Sequence, residues 1–251
     1  KRYPKPYVAL IDGIVMGGGV GVSIHGSHRV AGSRTLFAMP ETGIGLFPDV
    51  GGTYFLPRLP GRLGTYLALT GARLGRADVA WSGIATMAAE SENFEAILEA
   101  LCGAGDTDSL LSPFALSAQS PTVPPMMPVI DRCFSAASVE EVLERLNRET
   151  GDHADWAQKT IATMRTKSPV SQKIALRQMQ VGAQSSFEEC MRIEYRIVAR
   201  VLDGHEFFEG VRALIVDKDN QPRWRPERLE DVSDADIDAY FAPLDAELDL
   251  D

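Results

Sequence analysis

The chain has 251 residues, of which 25 are basic and 35 acidic, so its formal net charge is −10. Hydrophobic residues make up 45% and charged residues 24% of the sequence, which excludes a disordered or collagen-like protein. No apolar run reaches the roughly 18 residues of a membrane-spanning helix, and the acidic balance argues against a nucleic-acid partner.

The acidic residues are concentrated in two segments. Residues 81–150 carry a charge of −8 and residues 227–251 carry −9, whereas residues 1–80 carry +5 and residues 151–226 carry +2. The N-terminal segment is therefore mildly basic, and it can face a phosphate-bearing ligand although the whole chain is acidic.

The N-terminal part of the chain predicts an α/β core. Residues 7–11 form a continuous apolar run, which is typical of a strand buried on both faces, and the glycines at 17–19 precede a short predicted helix over 20–25. Further short strands are predicted at 29–31 and 35–39. This order of strand, glycine-rich turn, helix and strand is typical of an α/β fold.

Helices are predicted to dominate the rest of the chain. Their limits follow from N-cap residues, from a first-position proline and from glycines or prolines that end them. Three helices are predicted to begin at Val50 behind an Asp49 N-cap, at Val139 behind a Ser138–Glu141 capping box, and at Ser168-Pro169. Four more are predicted over 63–70 up to Gly71, over 93–101, over 186–203 with an apolar stripe of Phe187, Met191, Val198 and Leu202, and, weakly, over 234–241. The Pro- and Gly-rich residues 103–128 are expected to be irregular.

Cysteine and histidine give no sign of a metal site. Cys102, Cys133 and Cys190 lie far apart without a CxxC pair, which is typical of free thiols in a reducing compartment. His25 and His28 are close in sequence, but no nearby carboxylate completes a metal-ligand set. We therefore expect no metal.

The glycine loop at 17–19 is the first candidate site. Its spacing to Gly21 does not fit a dinucleotide fingerprint, no lysine follows as in a P-loop, and His25 stands where a nucleophile elbow has glycine. Backbone N–H groups left open by glycine at a helix start can nevertheless stabilise an oxyanion. Close packing of a strand against a helix explains the glycines equally well.

Two carboxylates in the apolar, glycine-rich residues 39–52 are the second candidate. Apolar neighbours raise the pKa of a carboxyl group, which makes Glu41 and Asp49 suitable as a base or an acid at neutral pH. Asp49 has an equally good structural explanation as a helix N-cap. Glu41 has no comparable structural role.

These motifs together resemble the enoyl-CoA hydratase/isomerase (crotonase) superfamily, and the resemblance extends to about residue 232. It implies a crotonase-like spiral of ββα units, with residues 1–102 as the C-terminal part of its α/β core, 103–226 as a helical region and 227–251 as an acidic tail. The matching motifs are residues 12–21, 39–41, 48–52, 168–169, 176–178, 194–196, 204–207, 209–213, 217–219 and 222–224.

The resemblance implies roles for three residues. Gly18 would give one oxyanion-hole N–H to a thioester carbonyl, and Glu41 and Asp49 would be the catalytic carboxylates. Hydratases of the superfamily place a second glutamate where this chain has Gly21. Because glycine cannot transfer a proton, the likeness favours the branch that hydrolyses 3-hydroxyisobutyryl-CoA in valine catabolism.

Alternatives and partners also follow from the resemblance. The alternatives are hydration or isomerisation of another acyl-CoA, and a non-catalytic subunit that binds CoA esters. The expected partner is an acyl-CoA substrate, with no separate cofactor because coenzyme A is part of the substrate, and with no membrane partner. A homo-oligomer, either a trimer or a hexamer, is expected in the bacterial cytoplasm or the mitochondrial matrix rather than outside the cell.

The family's N-terminal portion is not found in this sequence, which starts Lys-Arg-Tyr-Pro. In the family that portion supplies the other oxyanion N–H and much of the coenzyme A pocket. We therefore expect a fragment, or a site completed by another chain, and poor activity from the chain alone.

Overall fold

A computed structural model describes residues 1–117 and 120–250. The chain divides into two compact units, one formed by Lys1–Ala38 and Arg73–Met126 and the other by Met39–Ala72 and Met127–Asp251. Each unit combines stretches that are separated in sequence. The division into 1–102, 103–226 and 227–251 therefore stays a prediction about sequence regions.

The regular elements are numbered in chain order. The strands are β1 (Val8–Ile11), β2 (Ile14–Val15), β3 (His28–Ala31), β4 (Leu36–Phe37), β5 (Leu74–Gly75) and β6 (Met87–Ala88). The α-helices are α1 (Gly18–Ile24), α2 (Gly52–Phe55), α3 (Leu63–Thr70), α4 (Arg76–Trp81), α5 (Phe94–Leu101), α6 (Thr107–Leu111), α7 (Met127–Phe134), α8 (Val139–Asn147), α9 (Ala154–Met164), α10 (Pro169–Gly182), α11 (Phe187–Val201), α12 (Glu206–Val211) and α13 (Asp234–Phe241).

The first unit contains two three-stranded sheets. One has the order β1-β3-β6 with parallel pairing, and the other has the order β2-β4-β5, with β2 and β4 parallel and β5 antiparallel to β4. Consecutive strands such as β1 and β2 join different sheets, so each ββα repeat adds one strand to each sheet. The predicted α/β core is confirmed, although Val8–Leu10 are half-buried rather than buried and the strand expected at 35–39 is only two residues long.

The second unit is helical, and most of its predicted helix starts are confirmed. Ser138, Ser168 and Ser186 each accept a hydrogen bond from a first-turn backbone N–H, and Gly71 ends α3 in the left-handed conformation with φ 66°. Its core packs the turn before α2 against α10, α11 and α13, and contains Phe47, Val170, Ile174, Ile193, Ile197, Val201, Val232 and Ile237.

Two predictions of local structure need correction, the capping box at Ser138 and the irregular segment 103–128. The capping box at Ser138 is incomplete, because the Glu141 carboxylate accepts the N–H of Ala137 instead of that of Ser138. Residues 103–128 are not wholly irregular, since Asp106 caps the short helix α6 and α7 begins at Met127; residues 118–119 lie outside the described part.

The predicted apolar stripe on α11 was placed on a neighbouring face. The buried residues of this helix are Cys190, Ile193, Glu194, Ile197 and Val201, while Phe187, Met191 and Val198 are half-buried and Leu202 is 49% exposed. Apolar residues cover two adjacent faces of α11, so the pattern alone did not decide which face is inside.

The acidic C-terminal segment is folded against the helices of its own unit. The predicted helix at 234–241 forms with those bounds, and Ser233 and Asp236 make a reciprocal capping box at its start. Ile237 is only 3% exposed, and Arg177 pairs with Asp238 at 2.9 Å. Within residues 1–117 and 120–250, every helix is too short or too polar to cross a lipid bilayer.

Candidate active site

The glycine loop before α1 has the backbone geometry of a glycine-specific turn. Gly17 has φ 50° and ψ −123°, and Gly18 is the exposed first residue of the helix. A Cβ atom added at Gly17, Gly18 or Gly19 would meet no atom within 4 Å among the described residues. Among the described residues, no close contact explains these glycines. Within the first turn, the N–H of Gly19 donates to the carbonyl of Met16 and the N–H of Val20 donates to the carbonyl of Gly17, both at 3.0 Å.

A basic cavity of about 740 Å³ lies beside α1 in the same unit. Its lining includes the cationic side chains of Lys1 and Lys5, the ring of Tyr7, and Val22 and His25 from the helix and its end. Such a lining provides cations together with apolar surface, which suits an anionic ligand that has an aromatic or aliphatic part.

Glu41 lies at the start of a tight turn in the second unit. The turn is a 3₁₀ helix over Glu41–Ile44, and Glu41 is only 4% exposed. The backbone N–H of Gly43 donates to the carbonyl of Pro40 at 2.9 Å, and the N–H of Leu46 donates to the carbonyl of Glu41 at 3.0 Å. The glutamate is thus fixed at its backbone and largely removed from water.

Helix α12 packs directly on this turn. A Cβ atom on Gly45 would overlap the backbone carbonyl of Glu206, and one on Gly210 would overlap the backbone carbonyl of Ile44. Gly45 also has φ 70°, a conformation that favours glycine. The two glycines bring α12 into backbone contact with the turn of Glu41.

The Glu206 carboxylate ties α12 to two other segments of the unit. It accepts hydrogen bonds from the Ser168 hydroxyl and from the backbone N–H of Arg225, the latter at 2.7 Å. The N–H of Ser168 in turn donates to the carbonyl of Thr42 at 3.1 Å. Burial raises the pKa of Glu206, and these hydrogen bonds partly oppose the shift.

Asp49 does not cap a helix, which corrects the N-cap alternative. Val50 and Gly51 follow it in the left-handed region with φ 51° and 89°, so α2 begins only at Gly52 and its N-cap residue is Gly51. These two residues separate the Asp49 side chain from the first turn. Burial raises the pKa of Asp49, as its apolar neighbours predict, and a hydrogen bond from its own backbone N–H partly opposes the shift.

Two side chains from distant helices hold the Asp49 turn. One carboxylate oxygen of Glu194 on α11 accepts the N–H of Gly51 at 2.9 Å, and the other accepts the N–H of Thr53 at 3.0 Å. The amide of Gln178 on α10 donates to the carbonyl of Pro48 at 3.1 Å and to the Thr53 hydroxyl at 2.7 Å. Burial, the largest cause, raises the pKa of Glu194 to about 7.

Sequence reasoning gave no role to Glu194, Gln178 or Glu206, although all three belong to the quoted motifs. A usable signal was present for Glu194, because this carboxylate lies between Ile193 and Ile197 on the apolar face of a helix. A charged residue there must find buried hydrogen-bond donors.

The structure places Glu41 and Asp49 in the second unit and Gly18 in the first. Glu41 and Asp49 are carried by separate turns, each fixed by helices from the C-terminal part of the chain. Within the described part of the chain, no three His, Cys, Asp or Glu side chains come together as metal ligands.

The chain is similar to a known protein family and to several named proteins. A model of the enoyl-CoA hydratase/isomerase family matches residues 1–241. The mitochondrial 3-hydroxyisobutyryl-CoA hydrolase of Danio rerio is 48% identical over 97% of this chain and 65% of its own length, and 3-hydroxyisobutyryl-CoA hydrolase 1 of Arabidopsis thaliana is 44% identical over 99% and 68%. The chain thus spans about two thirds of the length of the curated relatives that it matches.

A solved structure supports the fold. The crystal structure of a carnitinyl-CoA dehydratase from Mycobacterium thermoresistibile has a TM-score of 0.92 to this chain at 39% identity, covering 99% of this chain and 71% of that one. This similarity confirms the predicted crotonase-like spiral of ββα units with its C-terminal helices. The chain therefore belongs to the enoyl-CoA hydratase/isomerase family.

Proposed function

We propose that the protein hydrolyses the thioester of 3-hydroxyisobutyryl-CoA to 3-hydroxyisobutyrate and coenzyme A, a step of valine catabolism. The observation that carries the proposal is the pair of carboxylates, Glu41 and Asp49, on two rigidly held turns, combined with Gly21 where a hydratase needs a glutamate. The 48% identity to a relative named as this hydrolase supports it.

In the proposed mechanism, the Gly18 N–H donates a hydrogen bond to the thioester oxygen while negative charge develops there. One such donor contributes about 3 kcal/mol in known acyl-transfer enzymes. Glu41 either attacks the carbonyl carbon and forms an anhydride that water opens, or takes a proton from the attacking water. In both routes the carbon–sulfur bond breaks, and the products are a carboxylic acid and the coenzyme A thiol.

Asp49 is the proposed second catalytic group. Burial raises its pKa, and in the protonated form it can donate a hydrogen bond to the substrate hydroxyl or a proton to the departing thiolate. Its position on a turn separate from Glu41 allows the two carboxyl groups to have different protonation states.

Hydration of another acyl-CoA is the second candidate function, because the similar crystal structure is named a carnitinyl-CoA dehydratase. Both reactions act on coenzyme A esters, so a shared fold does not separate them. Gly21 argues against hydration, since it has no side chain to hold or transfer a proton.

The proposed substrate is polyanionic, and the first unit suits it. Residues 1–80 carry +5, and Lys1 and Lys5 line the cavity beside α1. We assign the phosphate groups of coenzyme A to this basic part of the chain, with no separate cofactor. A homo-oligomer, trimer or hexamer, belongs to the same proposal and is tested by light scattering during gel filtration.

The names of several relatives place them in mitochondria, which supports the mitochondrial matrix as the proposed location. The bacterial cytoplasm is the alternative. Fractionation of source cells with an antibody to the protein distinguishes the two.

Thiol release from 3-hydroxyisobutyryl-CoA by the full-length protein tests the proposed activity. Glu41→Gln should lower the rate by about a hundredfold or more, because it removes the nucleophile or base. Glu99→Gln, the same change on the exposed face of α5, is the matched control and should leave the rate unchanged. A rate in Glu41→Gln equal to that of the control would refute the proposal.

A further inference from the structure

The turn that carries Asp49 is conformationally strained. Val50 has φ 51°, and a β-branched residue rarely adopts this left-handed conformation because its side chain meets the backbone. Gly51 continues the turn with φ 89°. Such a turn persists only when the surrounding structure restrains it.

Glu194 is one of two side chains that restrain this turn. Its two carboxylate oxygens accept the N–H groups of Gly51 and Thr53, the residues on either side of the first residue of α2. Gln178 holds the other side of the turn through the carbonyl of Pro48. Glu194 is 8% exposed, so these hydrogen bonds are made in a largely water-excluded environment, where they are strong.

We propose that Glu194 is a positioning residue for Asp49: it holds the strained turn so that the Asp49 carboxyl keeps its catalytic direction. The proposal rests on the catalytic role proposed above for Asp49. Helix α2 has only four residues and gains little from a cap of its own, so the main effect of the clamp is on the turn before it. Asp49 directly precedes the left-handed residues Val50 and Gly51, so the direction of its side chain depends on the turn that Glu194 holds.

The test compares Glu194→Gln with Glu189→Gln in the full-length protein. Glutamine keeps one acceptor oxygen but turns an NH₂ group toward the second backbone N–H, so it breaks one of the two hydrogen bonds. Glu189 lies on the same helix, where its carboxylate pairs with Arg192 and Arg196. Glu194→Gln should lower kcat for thiol release by about ten- to a hundredfold, with KM and the rate of Glu189→Gln close to those of the parent.

A double-mutant cycle separates positioning from a general loss of structure. If Glu194 acts through Asp49, Glu194→Gln should slow the Asp49→Asn variant by less than about twofold, because the group that it positions is already disabled. An equal fold-loss in both backgrounds would overturn the proposal. So would a kcat in Glu194→Gln equal to that of Glu189→Gln.

Amide hydrogen exchange gives a readout that does not depend on activity. In Glu194→Gln the exchange of Gly51 or Thr53 should be about tenfold faster, while amides in the middle of α11 keep their rates. If the parent releases no thiol, the proposed function fails, and the exchange rates still decide whether Glu194 holds the turn. Unchanged exchange would overturn the clamp. Glu194→Asp, which is too short to reach both N–H groups, replaces Glu194→Gln if that variant does not fold.

Discussion

Asp49 and Glu194 are two carboxyl groups close to the start of one short helix. Burial raises the pKa of both, and the negative charge of Asp49 adds to the shift of Glu194. The raised pKa of each group means that the folded protein disfavours its charged form. The stability of the fold has to reflect the shift of Glu194.

The pH dependence of stability should therefore change in Glu194→Gln. The pKa of Glu194 is raised from 4.5 to about 7 in the folded protein, so between these values the folded state keeps a proton that the unfolded chain has lost. Stability from this group then falls as the pH rises, by about 3 kcal/mol at most between pH 4.5 and 7.

Urea unfolding at a series of pH values between 5 and 8 measures this. As the pH rises, the parent should lose unfolding free energy relative to Glu194→Gln. The unfolding free energy of Glu189→Gln should follow that of the parent. Parallel curves for the parent and Glu194→Gln would show that the carboxyl group titrates normally.

At the scale of the elements, helix limits were predictable and the restraints on the site were not. Ser168-Pro169 and Gly71 act through their own backbone neighbours, so their effects are visible in the local sequence. The N-cap predicted at Asp49 was wrong because the two left-handed residues after it turn the chain. The carboxylate that accepts the N–H groups of Gly51 and Thr53 comes from Glu194, 143 residues away from Gly51. Contacts between remote elements have no local signature.

The contact that holds the turn of Glu41 also has no local signature in the sequence. The motifs at 39–41, 204–207 and 209–213 suggested a family, but their sequence did not reveal that the turn after Glu41 touches α12. The glycines that let α12 meet the turn are explained only by the three-dimensional contact. We expect the site to depend on this contact as strongly as on its carboxylates.

Gly210→Ala should push α12 away from the turn that carries Glu41. The added methyl group would overlap the carbonyl of Ile44, a backbone atom that cannot move independently, so we expect a loss of about 1–3 kcal/mol of stability and a lower rate of thiol release. Thermal unfolding and the thiol assay measure the two effects.

Gly204→Ala is the matched control, because its Cβ atom would have its nearest neighbour at 3.4 Å, an ordinary contact distance. Its stability should change by less than about 1 kcal/mol. If both alanine variants changed equally in stability and in the rate of thiol release, the contact between α12 and the turn would not be tightly packed.

At the scale of the whole molecule, neither the net charge nor the length, taken alone, predicts how the chain is organised. Residues 227–251 carry −9 and were predicted to be an acidic tail, yet α13 within them packs Ile237 into the core of the second unit. The acidic side chains of α13 therefore belong to a folded part of the chain. The length of 251 residues is typical of one domain, whereas the matched relatives are about half as long again.

Ile237→Ala tests whether the acidic segment is part of the fold. Removal of a buried isoleucine side chain should cost about 2–5 kcal/mol of stability. Asp238→Asn, next to it, removes only a surface ion pair with Arg177 and should cost less than about 1 kcal/mol. A melting temperature in Ile237→Ala equal to that of the parent would show that α13 contributes nothing to stability.

The most direct test uses two samples of the full-length protein, the first with 3-hydroxyisobutyryl-CoA and the second with an unsaturated acyl-CoA. Two signals are followed in each sample. The signals are free thiol, detected with a thiol reagent, and the absorbance of the conjugated enoyl thioester. We predict that thiol appears in the first sample and that the enoyl absorbance in the second stays constant. Loss of the enoyl absorbance without thiol release from 3-hydroxyisobutyryl-CoA would contradict the proposed hydrolysis.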